Sequence, residues 1–228
     1  GDLDIGNYNH IRNGAFPKDN RYWTNVRIAS HPFYYNNQKK LFLLETNKAD
    51  EITSSSARFD VKRNTDYTLS FYAFASGNVS SSDVFFLGRK IGETRDFTVI
   101  NQPIVKRRYS PHKAEYVTVT FNSGEVDNGY IRFDNNGSSN GQNSLLFFGE
   151  VMLVEGNAAQ KWSPNQEDID DEIAQKADAQ LTIEQINRLN EQAGILIAEL
   201  EAKASADIVA QWVETVKNQI KETERGKK

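Results

Sequence analysis

The chain changes character abruptly at Trp162-Ser163-Pro164-Asn165, and no other feature constrains its fold as strongly. Upstream, aromatic and β-branched residues alternate with polar ones. Downstream, Phe and Tyr stop altogether and Trp212 is the one aromatic left. Alternation with period two builds sheet, whereas a run of strong helix formers does not, so one layer of structure cannot serve both halves. The expected fold is mostly β: an antiparallel jelly-roll β-sandwich over residues 1–165, then an α-helical, coiled-coil-like segment over residues 166–228. A β head on an oligomerisation-type helix is the build of a displayed binding module, and it points away from an enzyme.

Charge divides at the same place. Residues 1–165 hold 19 Lys/Arg against 17 Asp/Glu, a balance of +2, and residues 166–228 hold 8 against 14, a balance of −6. Neither half has the basic excess that a nucleic-acid partner demands. The absence of cysteine excludes disulfides, thiolate metal sites and Cys nucleophiles. No apolar run approaches the ~18 residues of a membrane span. With Gly1 in first position and Met152 as its sole methionine, the chain reads as a piece of a longer protein.

Strand signals recur from residue 40 onward: 40–45, 58–61, 67–74, 84–87, 116–121, 129–133 and 145–154, separated by polar loops at 75–83 and 135–143. Many short strands with turn chemistry between them and no helix argue for the sandwich. Alternation then sorts side chains. Leu69, Phe71, Val117, Val119, Phe121, Ile131 and Phe133 fall on the core face. Ser70, Tyr72, Thr118, Thr120, Tyr130 and Arg132 fall on the opposite one. Hydroxyls, a guanidinium and two tyrosines on one surface suit a saccharide, because apolar sugar faces stack on rings and hydroxyls need polar partners. The other reading of these residues is a solvated outer face.

Two aromatic groups lie outside regular strands, Tyr22-Trp23 and Phe33-Tyr34-Tyr35-Asn36-Asn37. Tyr34 and Tyr35 are expected to be exposed as sugar contacts. Trp23 is a candidate contact with an alternative as a plug of the sandwich edge. Lys106-Arg107-Arg108-Tyr109 reads as a solvated loop, with an acidic or phosphorylated polymer as the alternative partner. His10, His31 and His112 have no metal-ligand spacing, and no nucleophile, P-loop or zinc-protease motif is present. Carboxylates are plentiful, but none is singled out as half of a glycosidase pair.

In the tail, Ile186, Leu189, Ala193, Leu196 and Leu200 follow the 3-4 spacing of a coiled-coil seam. Val209, Val213, Val216 and Ile220 form a second set, with the register broken between them. Thr182-Ile183-Glu184-Gln185 has the pattern of a capping box and predicts a new helix start there. The apolar seam is expected to pack in an oligomer, in a hairpin or on the head.

The order Arg12-Asn13-Gly14-Ala15-Phe16, then Trp23, the Tyr-Thr-Leu-Ser-Phe-Tyr-Ala strand and the closing Val151-Met152-Leu153-Val154-Glu155-Gly156 resembles carbohydrate-binding-module jelly rolls of the family 4/9 type. The junction from Gly156 to Asp168 is similar to the G-x-x-A-x-x-W-(S/T)-P-x-x-E-D ending of modules in tail, baseplate and minor structural proteins of phages of Gram-positive bacteria. The resemblance covers residues 7–165. It implies a non-catalytic head that binds bacterial cell-surface polysaccharide in an extracellular virion, beside other tail or baseplate proteins. A parallel homotrimer is the first choice for the tail, with a dimer or hairpin open. Family members bind sugar across a sheet face or through edge loops, and often carry structural calcium near the first and last strands. Here Glu150 stands where the last strand has an acidic pair, with Gly149 as its neighbour. No other cofactor is implied. The alternatives are a structural spacer of the tail and an accessory module of a wall- or polysaccharide-degrading enzyme.

Overall fold

The computed structural model describes residues 8–226, which fall into two compact units meeting between Asp171 and Glu172. The head carries ten strands: β1 (Arg27–Ala29), β2 (Leu41–Thr46), β3 (Ile52–Ser55), β4 (Phe59–Asp60), β5 (Asp66–Ala75), β6 (Ser82–Arg89), β7 (Val99–Arg107), β8 (Glu115–Asn122), β9 (Asn128–Asn135) and β10 (Ser144–Glu155). One sheet has the order β1-β2-β10-β5-β8. The other runs β3-β9-β6-β7, with β4 also paired to β9. All pairings are antiparallel, and the two sheets form the jelly-roll sandwich.

The alternation of β5 shows why these residues choose sheet. Tyr67, Leu69, Phe71 and Ala73 enter the core between the sheets, while Thr68, Ser70, Tyr72 and Phe74 face outward. Facing positions on β9 and β10 complete an aromatic centre. Phe133 stacks on Phe148 at 4.2 Å, Phe71 meets Phe133 edge-on at 5.0 Å, and Trp23 packs on Phe148 at 5.3 Å. The core residues read from alternation lie in this cluster or packed against it.

Three strands escape the sequence pattern for identifiable reasons. β1 is too short to show a period, and β3 is Ser/Thr-rich. β7 contains Pro103, which reads as a breaker but is tolerated because β7 is an edge strand. Lys106 and Arg107 therefore close a strand instead of lying in a loop, and Tyr109 beside them is buried. A larger correction concerns the proposed polar face. Tyr72, Thr118 and Thr120 belong to one sheet, whereas Tyr130 and Arg132 lie on β9 in the other. Alternation assigns in or out, but it does not say which sheet a strand joins.

The tail is one helix, α1 (Gln166–Gly226), whose residues 166–171 belong to the head unit. Asn165 caps it by accepting the Glu167 N–H at 2.8 Å. The helix start predicted at Thr182 is absent: the Thr182 hydroxyl donates instead to the Asp178 carbonyl at 3.0 Å, a bond made inside a continuing helix. Continuity also gives the register break a consequence. Extending the first seam by heptads leads to residues 210, 214, 217 and 221, each one residue beyond Val209, Val213, Val216 and Ile220. A one-residue slip turns the second seam about 100° around the helix. Ile186, Leu189, Leu196 and Leu200 are more than half exposed in the single chain.

The aromatic centre makes a quantitative demand. Phe133→Ala removes the ring shared by Phe71, Trp23 and Phe148 and should destabilise the head by about 3–5 kcal/mol. Urea unfolding monitored at the β signal measures this directly.

Candidate functional site

β10 is paired on both sides, to β2 through Ser144–Phe148 and to β5 through Leu146–Glu155, with a register shift between Gly149 and Met152. Before the bulge Leu146 and Phe148 face the core; after it Val151 and Leu153 do. The residue absorbing the slip is Glu150, at φ 49°, a conformation costly for a side-chain-bearing residue. Its carboxylate lies over the outer face of the sheet that holds β10, where Oε2 accepts the Tyr34 hydroxyl at 2.8 Å and Oε1 the Tyr35 hydroxyl at 3.2 Å. Burial, and then the charge of Glu150, raises the Tyr34, Tyr35 and Tyr72 phenols above their ordinary range, so they stay protonated donors.

Two irregular segments cover this outer face. At one end the segment holding the 3₁₀ turn Tyr35–Asn37 lies on a second, smaller core of Tyr34, Leu41, Leu43, Phe74 and Phe147, in which Phe74 and Phe147 stack at 4.6 Å. At the other, the chain leaving β10 crosses back over it. The Gly156 carbonyl accepts the Thr68 hydroxyl at 2.8 Å, Trp162 Nε1 donates to the Val151 carbonyl at 3.4 Å, and the Ser163 N–H approaches the Met152 sulfur at 3.4 Å. Between the covers lies a cleft of about 350 Å³, lined by Ser70, Tyr72, Tyr116, Glu150, Gln160, Lys161 and Trp162. Tyr72 and Tyr116 are direct cross-strand partners on β5 and β8, with ring centroids 5.1 Å apart and planes tilted by 44°. The result is a bent aromatic wall beside a carboxylate that its own tyrosines hold in place. Such a site can stack an apolar ring face while accepting hydroxyl hydrogen bonds.

A second cleft, of about 410 Å³, is lined by Tyr8, His10, Arg12, Arg58, Phe59, Asp60 and Glu167 among others. Its cations are already engaged: Arg12 by Glu167, Asp168 and Asp171, and Arg58 by Asp96. Burial lowers the His10 pKa to about 4, against the pull of Glu155 and Asp60, so this imidazole is neutral near pH 7. The outer-face cleft is the better candidate, because it sets two tyrosine rings and an indole beside a carboxylate.

The structure sorts the residues singled out in the sequence. Tyr72 lines the cleft. Tyr35 is 48% exposed and stands behind it on Glu150. Tyr34, expected on the surface, is 2% exposed, because the smaller outer-face core encloses its ring; it acts on the cleft only through Glu150. Trp23 is 5% exposed in the main core and donates Nε1 to the Asn13 carbonyl at 2.9 Å, so it is the edge plug and not a contact. Tyr130 is buried under Arg58 and bonded to Asp96, and Arg132 forks onto Asp134 at 2.8 and 2.9 Å, both in the other sheet. Burial raises the Asp134 pKa to about 6 despite that fork.

Sequence reasoning missed Tyr116 and Trp162. The alternation that placed Thr118 outward places Tyr116 there too, whereas Trp162 read only as part of the junction motif. The Glu150 carboxylate accepts the Tyr34 and Tyr35 hydroxyls, and among the described residues no group of three His, Asp or Glu comes together.

The neutral His10 gives the head a pH signature. Its folded pKa lies below the ordinary histidine value of 6.5, so its contribution is complete above pH 6.5 and is lost as pH falls toward 4. The loss should reach up to about 3 kcal/mol. The fall in urea midpoint from pH 7 to pH 4.5 should be larger for the parent protein than for His10→Phe, a difference from which the carboxyls common to both proteins cancel.

No family model matches the sequence, and no curated protein does either. Solved structures do resemble it. The chain is similar to a family 16 carbohydrate-binding module, with 17% identity over 64% of this chain and 100% of that one and a TM-score of 0.46. It is similar to the CBM22-1 xylan-binding domain from Paenibacillus barcinonensis, with 14% identity over 66% and 94% and a TM-score of 0.45. For the enzymatically active domain of bacteriophage CBA120 tailspike protein 4 the identity is 10%, over 65% of this chain and 21% of that one, with a TM-score of 0.50. At 10–17% identity these likenesses reach no further than fold.

Proposed function

We propose that the head binds saccharide, without catalysis, in the cleft between Tyr72, Tyr116 and Trp162. The observation that carries this reading is the joining of a bent aromatic wall to a carboxylate fixed by two phenols, on a sheet face otherwise covered at both ends. The ligand in this reading is a polysaccharide of a bacterial cell surface, and the setting is the extracellular tail or baseplate of a phage of Gram-positive bacteria. The support for that setting is the junction motif, together with the occurrence of the same fold in a phage tailspike.

The helix supplies copy number in this reading. Its first seam, Ile186 to Leu200, has the spacing that associates helices, and the phage setting makes a parallel trimer the first choice, with a dimer or hairpin open. One small cleft gives weak binding; several heads on one assembly raise avidity by ~10²–10⁴ where geometry permits. A structural role in the tail without sugar is the second reading, favoured by a helix that carries two apolar seams on different faces and so serves assembly whatever the head does.

Affinity electrophoresis in extracted wall polysaccharide tests the head. Tyr72→Ala/Tyr116→Ala should weaken binding by about 2–3 kcal/mol, roughly 30–150-fold in Kd. A head that is not retarded by any wall polysaccharide leaves the structural reading. Sedimentation velocity tests the tail: Leu196→Asp/Leu200→Asp should convert the assembly to single chains, and an unchanged sedimentation coefficient would remove the first seam from the account.

A further inference from the structure

The wall formed by Trp162 belongs to a segment with unequal supports. At its start the Thr68 hydroxyl holds the Gly156 carbonyl, and Asn157, Ala158 and Ala159 after it are exposed. Its far end is fastened firmly. Asn9 Nδ2 donates to the Ser163 carbonyl at 2.8 Å, and the buried Asn165 donates Nδ2 to the Asn9 carbonyl at 2.8 Å while capping α1. One turn on, Asp168 accepts Arg12 Nε at 2.7 Å through Oδ1 and the Asn13 N–H at 2.6 Å through Oδ2. Arg12 also meets Glu167 and Asp171, and its guanidinium lies 4.1 Å over the Tyr22 ring. Of the three ion pairs, that to Asp168 is the one sheltered from solvent, with the side chains 15% and 25% exposed, so it counts for more than its two exposed companions.

The same N-terminal segment touches the wall itself. Four residues after Arg12, Phe16 packs edge-on against Trp162 at 6.0 Å, and the Gly14 carbonyl accepts the Val151 N–H at 2.8 Å. A Cβ on Gly14 would lie 2.2 Å from the Val151 carbonyl oxygen, the acceptor of Trp162 Nε1. Segment, bulge and wall are therefore packed as one body.

We propose that Arg12, acting through Asp168, is a positioning residue of the outer-face cleft, although it does not line it: the start of the helix sets where Trp162 stands. This rests on the reading of that cleft as the ligand site. An unlatched wall would have to be ordered on binding, a cost that appears as lost affinity.

The test follows Trp162 in a Trp212→Phe background, where buried Trp23 serves as an internal reference. Arg12→Ala, and separately the milder Asp168→Asn, should shift emission to the red and steepen quenching by acrylamide with the Trp23 component unchanged. Arg12→Lys, which keeps a cation for Asp168, should show only part of the effect. Arg63→Ala, which removes an ion pair to Asp127 elsewhere on the head, controls for lost stability and should leave Trp162 emission in place. In polysaccharide binding, Arg12→Ala should lose about tenfold in affinity. Unchanged emission and quenching in both latch variants would overturn the assignment, whether or not sugar binds. A quenching response from a parent protein that binds no saccharide would sustain the positioning role and reject the ligand reading of the cleft.

Discussion

The one-residue slip in β10 is the constraint on which the rest of the site depends. β10 lies between β2 and β5 and cannot move without breaking two ladders. Inserting a residue there reverses which side chains face the core, and the inserted residue has nowhere to go but the outer face. Glu150 takes that place, at a backbone cost that Tyr34 and Tyr35 offset by bonding its carboxylate. The next residue, Val151, is freed from the ladder with β5. Its N–H finds Gly14 and its carbonyl receives Trp162, so one irregularity organises the charge, the N-terminal segment and the far wall of the cleft.

This explains why two distant stretches of sequence behave as one motif. Arg12-Asn13-Gly14-Ala15-Phe16 and Trp162-Ser163-Pro164-Asn165-Gln166-Glu167-Asp168 meet over the bulge. Each residue type matches a local demand: a fork-shaped cation for carboxylates on the helix start, a glycine where backbones touch, a ring against the indole, and an asparagine that both caps and crosslinks. The composition boundary at Trp162 is therefore also where helix residues 166–171 are fastened within the head unit.

The regular parts of this molecule were legible and the irregular ones were not. β5 announces itself because its inner and outer sets differ at every step, and the same alternation correctly sent Tyr72 outward. It could not assign β9 to the opposite sheet, so Tyr130 and Arg132 were grouped with residues on the far side of the core. Tyr34 looked like a surface aromatic since it follows His31-Pro32 in a polar loop, yet the outer face carries its own apolar patch and that loop is its lid. A bulge leaves no periodic signal, so Glu150 was visible only as an isolated acid. In the tail, composition revealed the helix and the slip between seams, while Thr182 imitated a cap that the continuing helix does not use.

Sugar in the cleft between Tyr72 and Tyr116 would change the surroundings of both rings. The most direct measurement is ¹⁹F NMR of fluorotyrosine-labelled protein, assigned by single Tyr→Phe variants and titrated with wall polysaccharide fragments. Shifts are expected to concentrate at Tyr72 and Tyr116, with a smaller one at Tyr35 through Glu150 and none at Tyr67 or Tyr109, which are buried in the main core. Saturable binding that leaves Tyr72 and Tyr116 unmoved would contradict a sugar in that cleft.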